Sequence, residues 1–334
     1  MTSTSILPAD EFMHEPTEHP QFNESAYYNL VDGDSGFAVL IRMGNRVNEG
    51  HAEVTVLVYL PGGRAAIRFD KAPITTNDAF AAAGLTFEVI EPLQTIQVTF
   101  DGTAYLLEHG TDLENPKQAF TTSPQVPVRL SLRYDNVVPV YGLGGSSGSS
   151  GIQGAEDSIA VGHYQGPCSV QGWIEVDGER TEISGGLGFR DHSWGPRKWQ
   201  GPSYWRWISC MTDEKNGFVA WSQKIGDTRN AGNGMVLRDG VVEPLARVEV
   251  TSEYGPAPHY PRTMRVSMWT EAGERVDASG EVFAVVPLRN RRDGTVARLA
   301  EVLCRYEYGG RTGYGISEYH DRIDDGVPAG MSEA

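Results

Sequence analysis

The sequence predicts an all-β protein built as two consecutive antiparallel modules with little helix, and three observations carry that reading. Apolar and polar residues alternate with period two along most of the chain, the pattern of strands with one buried face. Short Asp-Gly and Gly-Gly pairs separate many of these runs, as tight hairpin turns require. A Gly/Ser-rich stretch, "YGLGGSSGSSGIQGAED" (141–157), interrupts the chain near its midpoint.

Taken in order, "AEVTVLVYLP" places Val54, Val56, Val58 and Leu60 on one strand face. Ile96, Val98 and Phe100 alternate with polar residues ahead of Asp101-Gly102, and Leu130, Leu132 and Tyr134 alternate with Arg129, Ser131 and Arg133. Asp177-Gly178, Asp239-Gly240 and Gly309-Gly310 each divide two such runs and predict hairpins. Helical periodicity is confined to "TNDAFAAAG" (76–84), where Asn77 can cap a short helix and Gly84 can end it.

A length of 334 residues fits two domains of roughly 150 residues each. Gly and Ser at the density of 142–154 cannot pack a core, so that segment is expected to be a linker or lid. The modules are then expected at 1–145 and 155–325, the second carrying residues 186–199. A weak internal echo supports duplication: Gly36-Phe37 and Gly217-Phe218 follow similar acidic turns. Modules of this kind close as barrels or sandwiches, and barrels of about eight strands can hold one small apolar ligand.

Charge and composition exclude several functions. A net charge of −16 disfavours nucleic acid, whose phosphates need clustered Lys and Arg. Three widely spaced cysteines, Cys168, Cys210 and Cys304, build neither a zinc ribbon nor a disulfide framework. No run approaches the ~18 apolar residues of a membrane helix, and the N-terminal stretch lacks a signal-peptide pattern. The expectation is a cytoplasmic protein without stable membrane insertion.

The densest chemistry lies in "GLGFRDHSWGPRKW" (186–199), which puts Arg190, Asp191, His192 and Trp194 within five positions. Five of seven tryptophans fall between 194 and 221. In "SYWRWISC" a strand would present Trp205 and Trp207 on one face and Tyr204 on the other, with Trp221 returning beside the indoles. Two readings stay open. In one, an aromatic wall faces a planar or cationic substrate while Asp191 and His192 move a proton. In the other, the indoles fill core space, Asp191 accepts hydrogen bonds from backbone or arginine at a turn, and His192 is a satisfied partner. Strand geometry sends Asp191 and His192 to opposite faces unless the segment bends. His163, Tyr164 and Glu318 are further candidates; Glu24, in "FNESAYYN", has similar standing to Glu318, and His109 and His320 read as surface residues. A metal site from His163, His192, Asp191 and Glu318 is the minor alternative, but compact ligand spacing such as HExxH is absent and no metal is assigned. A hydrolase triad is not supported by the sequence, and no phosphate loop is present.

The segment 23–64, "GHYQ" (162–165) and "GLGFRDHSWGPRKW" together resemble the hydroxyneurosporene-synthase-like, or carotenoid-hydratase-like, family, in order and over most of the chain. That resemblance implies two lipocalin-like β-barrels and cofactor-independent chemistry on an isoprenoid or polycyclic small molecule: alkene hydration or dehydration, isomerisation or cyclisation. It implies Asp191 as proton donor or relay, with His192, His163, Tyr164 and the Trp205 region lining the site. On the residues themselves, Arg190 joins the catalytic group, and Trp194, Tyr204, Trp207, Trp221 and Glu318 join the substrate-binding wall. The alternative is a lipocalin-like carrier that binds an apolar ligand without chemistry.

Overall fold

A computed structural model describes residues 6–33, 35–143 and 160–333. The first unit comprises Met1–Glu108 and Phe120–Lys198, the second His109–Ala119 and Trp199–Ala334. The segment 142–154, expected as linker or lid, lies from residue 144 onward outside the described residues.

The first unit is a closed ring of eight antiparallel strands: β1 (Phe22–Asp32), β2 (Phe37–Arg46), β3 (His51–Tyr59), β4 (Ala65–Pro73), β5 (Thr95–Leu107), β6 (Gln125–Asn136), β7 (Gly162–Val176) and β8 (Glu179–Pro196). Each strand pairs with its successor, β4 meets β5 through Ala65–Ile67, and β8 returns to β1. The second unit repeats the plan with β9 (Pro202–Asp213), β10 (Asn216–Ile225), β11 (Asn233–Arg238), β12 (Val241–Tyr254), β13 (Pro261–Thr270), β14 (Arg275–Arg292), β15 (Thr295–Tyr308) and β16 (Arg311–Asp324), closed by β16 on β9.

The expected boundary at the Gly/Ser run is corrected. Residues 162–196 complete the first ring, so RDHSWG belongs to the first barrel and the units divide at Lys198/Trp199. The reason is ring closure. Without β7 and β8 the first sheet would leave β1 and β6 as open edges, and exposed edges invite foreign pairing. The internal echo falls at equivalent places, since Phe37 and Phe218 both lie at the start of the second strand of their ring.

The period-two pattern reads correctly onto the interiors. Val54, Val56, Val58, Ile96, Val98, Phe100, Leu130, Leu132 and Tyr134 all enter the first core, and Ile208, Cys210, Phe218 and Val302 the second. All three cysteines are free and buried. Asp177-Gly178, Asp239-Gly240 and Gly309-Gly310 make the expected turns, every residue of them at positive φ. Asp101-Gly102 instead runs inside β5.

The helix expected at 76–84 is absent. Ala81–Ala82 and Leu85–Glu91 form a hairpin with Ala83 and Gly84 at positive φ. Asn77 caps nothing; its side chain is engaged across the barrel, as described below. The one α-helix among the described residues is Pro116–Thr122.

Candidate active site in the first barrel

Strand β8 alternates across the barrel wall, so Arg190, His192 and Trp194 share one face and Asp191 and Ser193 the other. In register, Tyr28 lies opposite Arg190, Ala26 opposite His192 and Glu24 opposite Trp194 on β1. Tyr164 of β7 lies opposite His192 from the other side. Tyr28 and Ala26 belong to the first core, which identifies the Arg190–His192 face as interior.

Two groups from outside the strands complete the cluster. The 3-10 turn Pro8–Glu11 sets Glu11 against Arg190, whose Nη2 donates to Oε1 at 2.6 Å and to Oε2 at 2.7 Å. Tyr164 donates its hydroxyl proton to Glu11 Oε1 at 2.9 Å, and the Leu93 amide donates to Oε2 at 2.7 Å. A few residues on, His14 reaches Glu24: its Nδ1 lies 2.7 Å from Oε1, and its main-chain N–H donates to Oε2 at 2.9 Å. His192 Nε2 approaches the same Oε1 at 3.0 Å. Asn77 Nδ2 donates to Glu24 Oε2 at 2.5 Å and to the His14 carbonyl at 3.0 Å. Trp194 stacks on the His14 ring at 3.8 Å, and Phe80 meets His192 edge-on.

Glu24 and Arg190 are both fully buried. Burial alone would raise the Glu24 carboxyl, but hydrogen bonds and charge from His14 and His192 outweigh it and hold the group at about 2. A carboxylate only accepts, so the ring nitrogens facing it carry hydrogen. Burial pushes the Tyr164 hydroxyl well above 10, against the pull of Arg190, so it stays a donor. His192 Nδ1 lies 3.2 Å from that hydroxyl. A continuous path therefore runs from Glu24 through His192 and Tyr164 to Glu11 and Arg190. Such a chain can orient an imidazole and pass a proton along it.

Of the residues read from sequence, Arg190, His192, Tyr164 and Trp194 come together here. Asp191 does not. It points from the opposite face of β8, partly exposed, with Oδ2 3.8 Å from His163 Nε2. The alternation of an unbent strand is the cause. Tyr204, Trp205, Trp207, Trp221 and Glu318 belong to the second unit. There Tyr204 lies beneath Arg206 on the interior side. Trp205 stacks on His320 at 3.8 Å and donates its indole N–H to Glu318 at 3.0 Å, while Trp207 pairs in register with Trp221. His320, expected at the surface, is fully buried by this stacking. The set His163, His192, Asp191 and Glu318 is likewise divided: Asp191 of β8 and His163 of β7 meet on the face away from His192, and Glu318 belongs to the second unit.

The residues not found from sequence are Glu11, His14 and Asn77. All three lie outside regular strands, where no periodicity marks an inward side chain. Glu24 carried a signal, an acid inside an apolar strand.

Residues 7–323 match a family profile described as Domain of unknown function (DUF7064). A search of curated protein sequences finds no match. Among solved structures, CghA bound to Sch210972 aligns with a TM-score of 0.59 at 11% identity, over 98% of this chain and 97% of that one. An AttH-type protein of Nitrosomonas europaea aligns with a TM-score of 0.56 at 15% identity, over 95% and 98%. Kievitone hydratase from Nectria haematococca aligns with a TM-score of 0.52 at 13% identity, over 95% and 96%. The likeness extends over both barrels, and the double lipocalin-like fold implied by the family resemblance is the fold observed.

Proposed function

The chain belongs to the DUF7064 family, and from that premise we propose that it is an acid–base catalyst of the hydratase or cyclase type, acting on a hydrophobic small molecule at the Glu24–His192 cluster. One observation carries the reading: a fully buried carboxylate holds two imidazoles by one oxygen, in series with Tyr164 and the Glu11–Arg190 pair. Removing so many ionisable groups from water costs several kcal/mol per ion before pairing is counted. A carrier of apolar ligands gains nothing from that arrangement, which weighs against the carrier reading.

In the proposed chemistry Glu24 remains ionised and fixes the orientation of His192. The proton that goes to one carbon of an isolated C=C bond is drawn from the hydrogen-bonded His14–Glu24–His192 network. Water adds to the other carbon and its surplus proton returns to the relay through Tyr164, so the enzyme is unchanged. If an internal nucleophile of the substrate takes the place of water, the same step is a cyclisation. Trp194 and Phe80 are aromatic rings packed against the two imidazoles of the cluster. A hydratase and a ligand-bound protein among the structural neighbours support this class. Asp191 and His163, turned away from the cluster, take no proton in this scheme.

The test is a panel of terpenoid and polycyclic alkenes incubated in ¹⁸O-labelled water. Turnover is expected as labelled alcohol or as an isomer of unchanged mass. Glu24→Gln and His192→Gln should lower it by about 10²–10⁴-fold, the usual worth of general acid–base help, with Asp191→Asn close to wild type. Full turnover by Glu24→Gln, or loss of turnover by Asp191→Asn alone, would overturn the assignment.

A further inference from the structure

We propose that His14, Glu24 and His192 form a binding site for one divalent transition-metal ion, with zinc as the best-fitting occupant. Their donor atoms, two imidazole nitrogens and a carboxylate oxygen, lie within 4.8 Å of one another. His14 Nδ1 and His192 Nε2 face the same Glu24 oxygen at 2.7 and 3.0 Å. Zinc–ligand distances of about 2.0–2.2 Å in a tetrahedron require donors about 3.3 Å apart. Both imidazole–carboxylate spacings are shorter than that, so the groups part slightly to admit an ion, and the two imidazole nitrogens lie within 4.8 Å of each other.

The surroundings are those of a held ligand set. Histidine ligands commonly give their second nitrogen to an oxygen partner, which fixes ring orientation and basicity. His192 has Tyr164 Oη at 3.2 Å from Nδ1, and His14 has Asp10 Oδ1 at 3.7 Å from Nε2. Glu24 leaves Oε1 to the imidazoles while Asn77 and the His14 amide hold Oε2. Binding an ion displaces the ring hydrogens now directed at Glu24, as metal binding at imidazole ligands requires.

The donor set also selects the metal. Two imidazoles disfavour the hard oxygen-seeking cations calcium and magnesium and suit zinc, cobalt, nickel or copper. Three protein ligands leave one tetrahedral position open, the pattern of catalytic rather than structural zinc. Glu24 and His192 are sealed, whereas the His14 side chain is 22% exposed. The ion therefore enters past His14, which the N-terminal segment carries.

The site coincides with the cluster assigned above, but its test reads binding apart from turnover. Chelator-treated protein is titrated with Co²⁺, followed by visible d–d absorption, and with Zn²⁺ by calorimetry. One ion per chain with tetrahedral Co²⁺ bands is expected. Loss of an outer partner alone costs about 10–100-fold in metal affinity, so His14→Ala and Glu24→Gln should each lose at least about 100-fold. His14 sits on a partly exposed segment outside the strands, so its removal leaves the barrel core intact. His163→Ala, at the exposed pair with Asp191, should bind as wild type. Absence of binding by the wild type, or equal affinity in His14→Ala, would overturn the metal site and leave the acid–base reading to the turnover assay.

Discussion

Replacing Glu11 by Gln takes the carboxylate away from a guanidinium that no water can reach. Arg190 is fully buried, and Nη2 alone makes its bonds to Glu11 Oε1, Glu11 Oε2 and the Tyr164 hydroxyl. Its Nε and Nη1 have no hydrogen-bond partner among the described residues. Breaking a buried pair from one side costs roughly 3–5 kcal/mol, because the remaining charge is stranded. The rings of Tyr28 and Tyr164, 5.5 and 5.4 Å from the guanidinium carbon, retain part of its stabilisation. The expected loss is therefore at the lower end, about 3 kcal/mol. Urea unfolding followed by circular dichroism would show it: with a slope of about 2 kcal/mol/M, the midpoint of the first barrel falls by about 1.5 M. The double variant Glu11→Gln/Arg190→Met, which removes both charges, should recover much of that loss, giving a large coupling term in the mutant cycle. A shift of under about 0.3 M in Glu11→Gln, or a double variant worse than the sum of the singles, would refute the stranded-charge argument.

Two further outcomes follow from the first barrel. A methyl group at Gly162 would sit 2.1 Å from the Trp194 ring, so Gly162→Ala must displace the indole from its stack on His14. A cost of about 1–3 kcal/mol is expected, with altered tryptophan fluorescence; an unchanged spectrum and midpoint would contradict the packing. Glu53 is buried, and although burial raises its carboxyl, the charges of Arg42, Arg46, Lys71 and His51 outweigh that and lower it. A depressed folded pKa means the stabilisation is present above the ordinary carboxylate value and lost as pH falls through the folded one. Glu53→Gln should therefore be weaker than wild type at neutral pH, with a smaller further loss between about pH 6 and pH 3. Parallel pH curves for the two proteins would remove Glu53 from the account.

The strands were legible because each carries its own record. "VRLSLRYD" can bury Leu130, Leu132 and Tyr134 together only as a strand, and Asp177-Gly178 supplies two positive φ angles in the place a hairpin needs them. Ring membership is different. The Gly/Ser run announces a connector, but whether it joins two barrels or two strands of one depends on which edge remains unpaired, and that is decided by residues more than a hundred positions away. The helix expected at 76–84 failed for a related reason. Its alanines favour a helix locally, yet Asn77 is bound to Glu24 and to Asn45 across the barrel, and those long-range bonds set the backbone. Asp191 looked equal to His192 because the sequence gives their proximity, whereas the pleat assigns them to opposite faces. Glu11 and His14 left no mark, since an inward side chain on an irregular segment has no period to reveal it.

The two barrels solve the same closure problem with different chemistry, which localises the proposed activity. At the seam that closes each ring, one Arg faces one Tyr: Tyr28 on β1 opposite Arg190 on β8, and Arg206 on β9 opposite Tyr319 on β16. The roles of first and last strand are exchanged, but each guanidinium is buried beside phenol rings. In the second barrel Arg206 is consumed by closure. It bonds the main-chain carbonyls of Trp205 and His320, the Tyr254 hydroxyl and Asp321, whose Oδ1 also accepts the Gly330 amide. Arg190 in the first barrel instead spends one nitrogen on Glu11 and Tyr164, and through Tyr164 it is linked to His192, Glu24 and His14. A seam needs only its charge satisfied, and in the second barrel Asp321 is the carboxylate that bonds Arg206. The added imidazoles and second carboxylate of the first barrel exceed what closure requires, and proton transfer or metal binding is the chemistry that uses the excess.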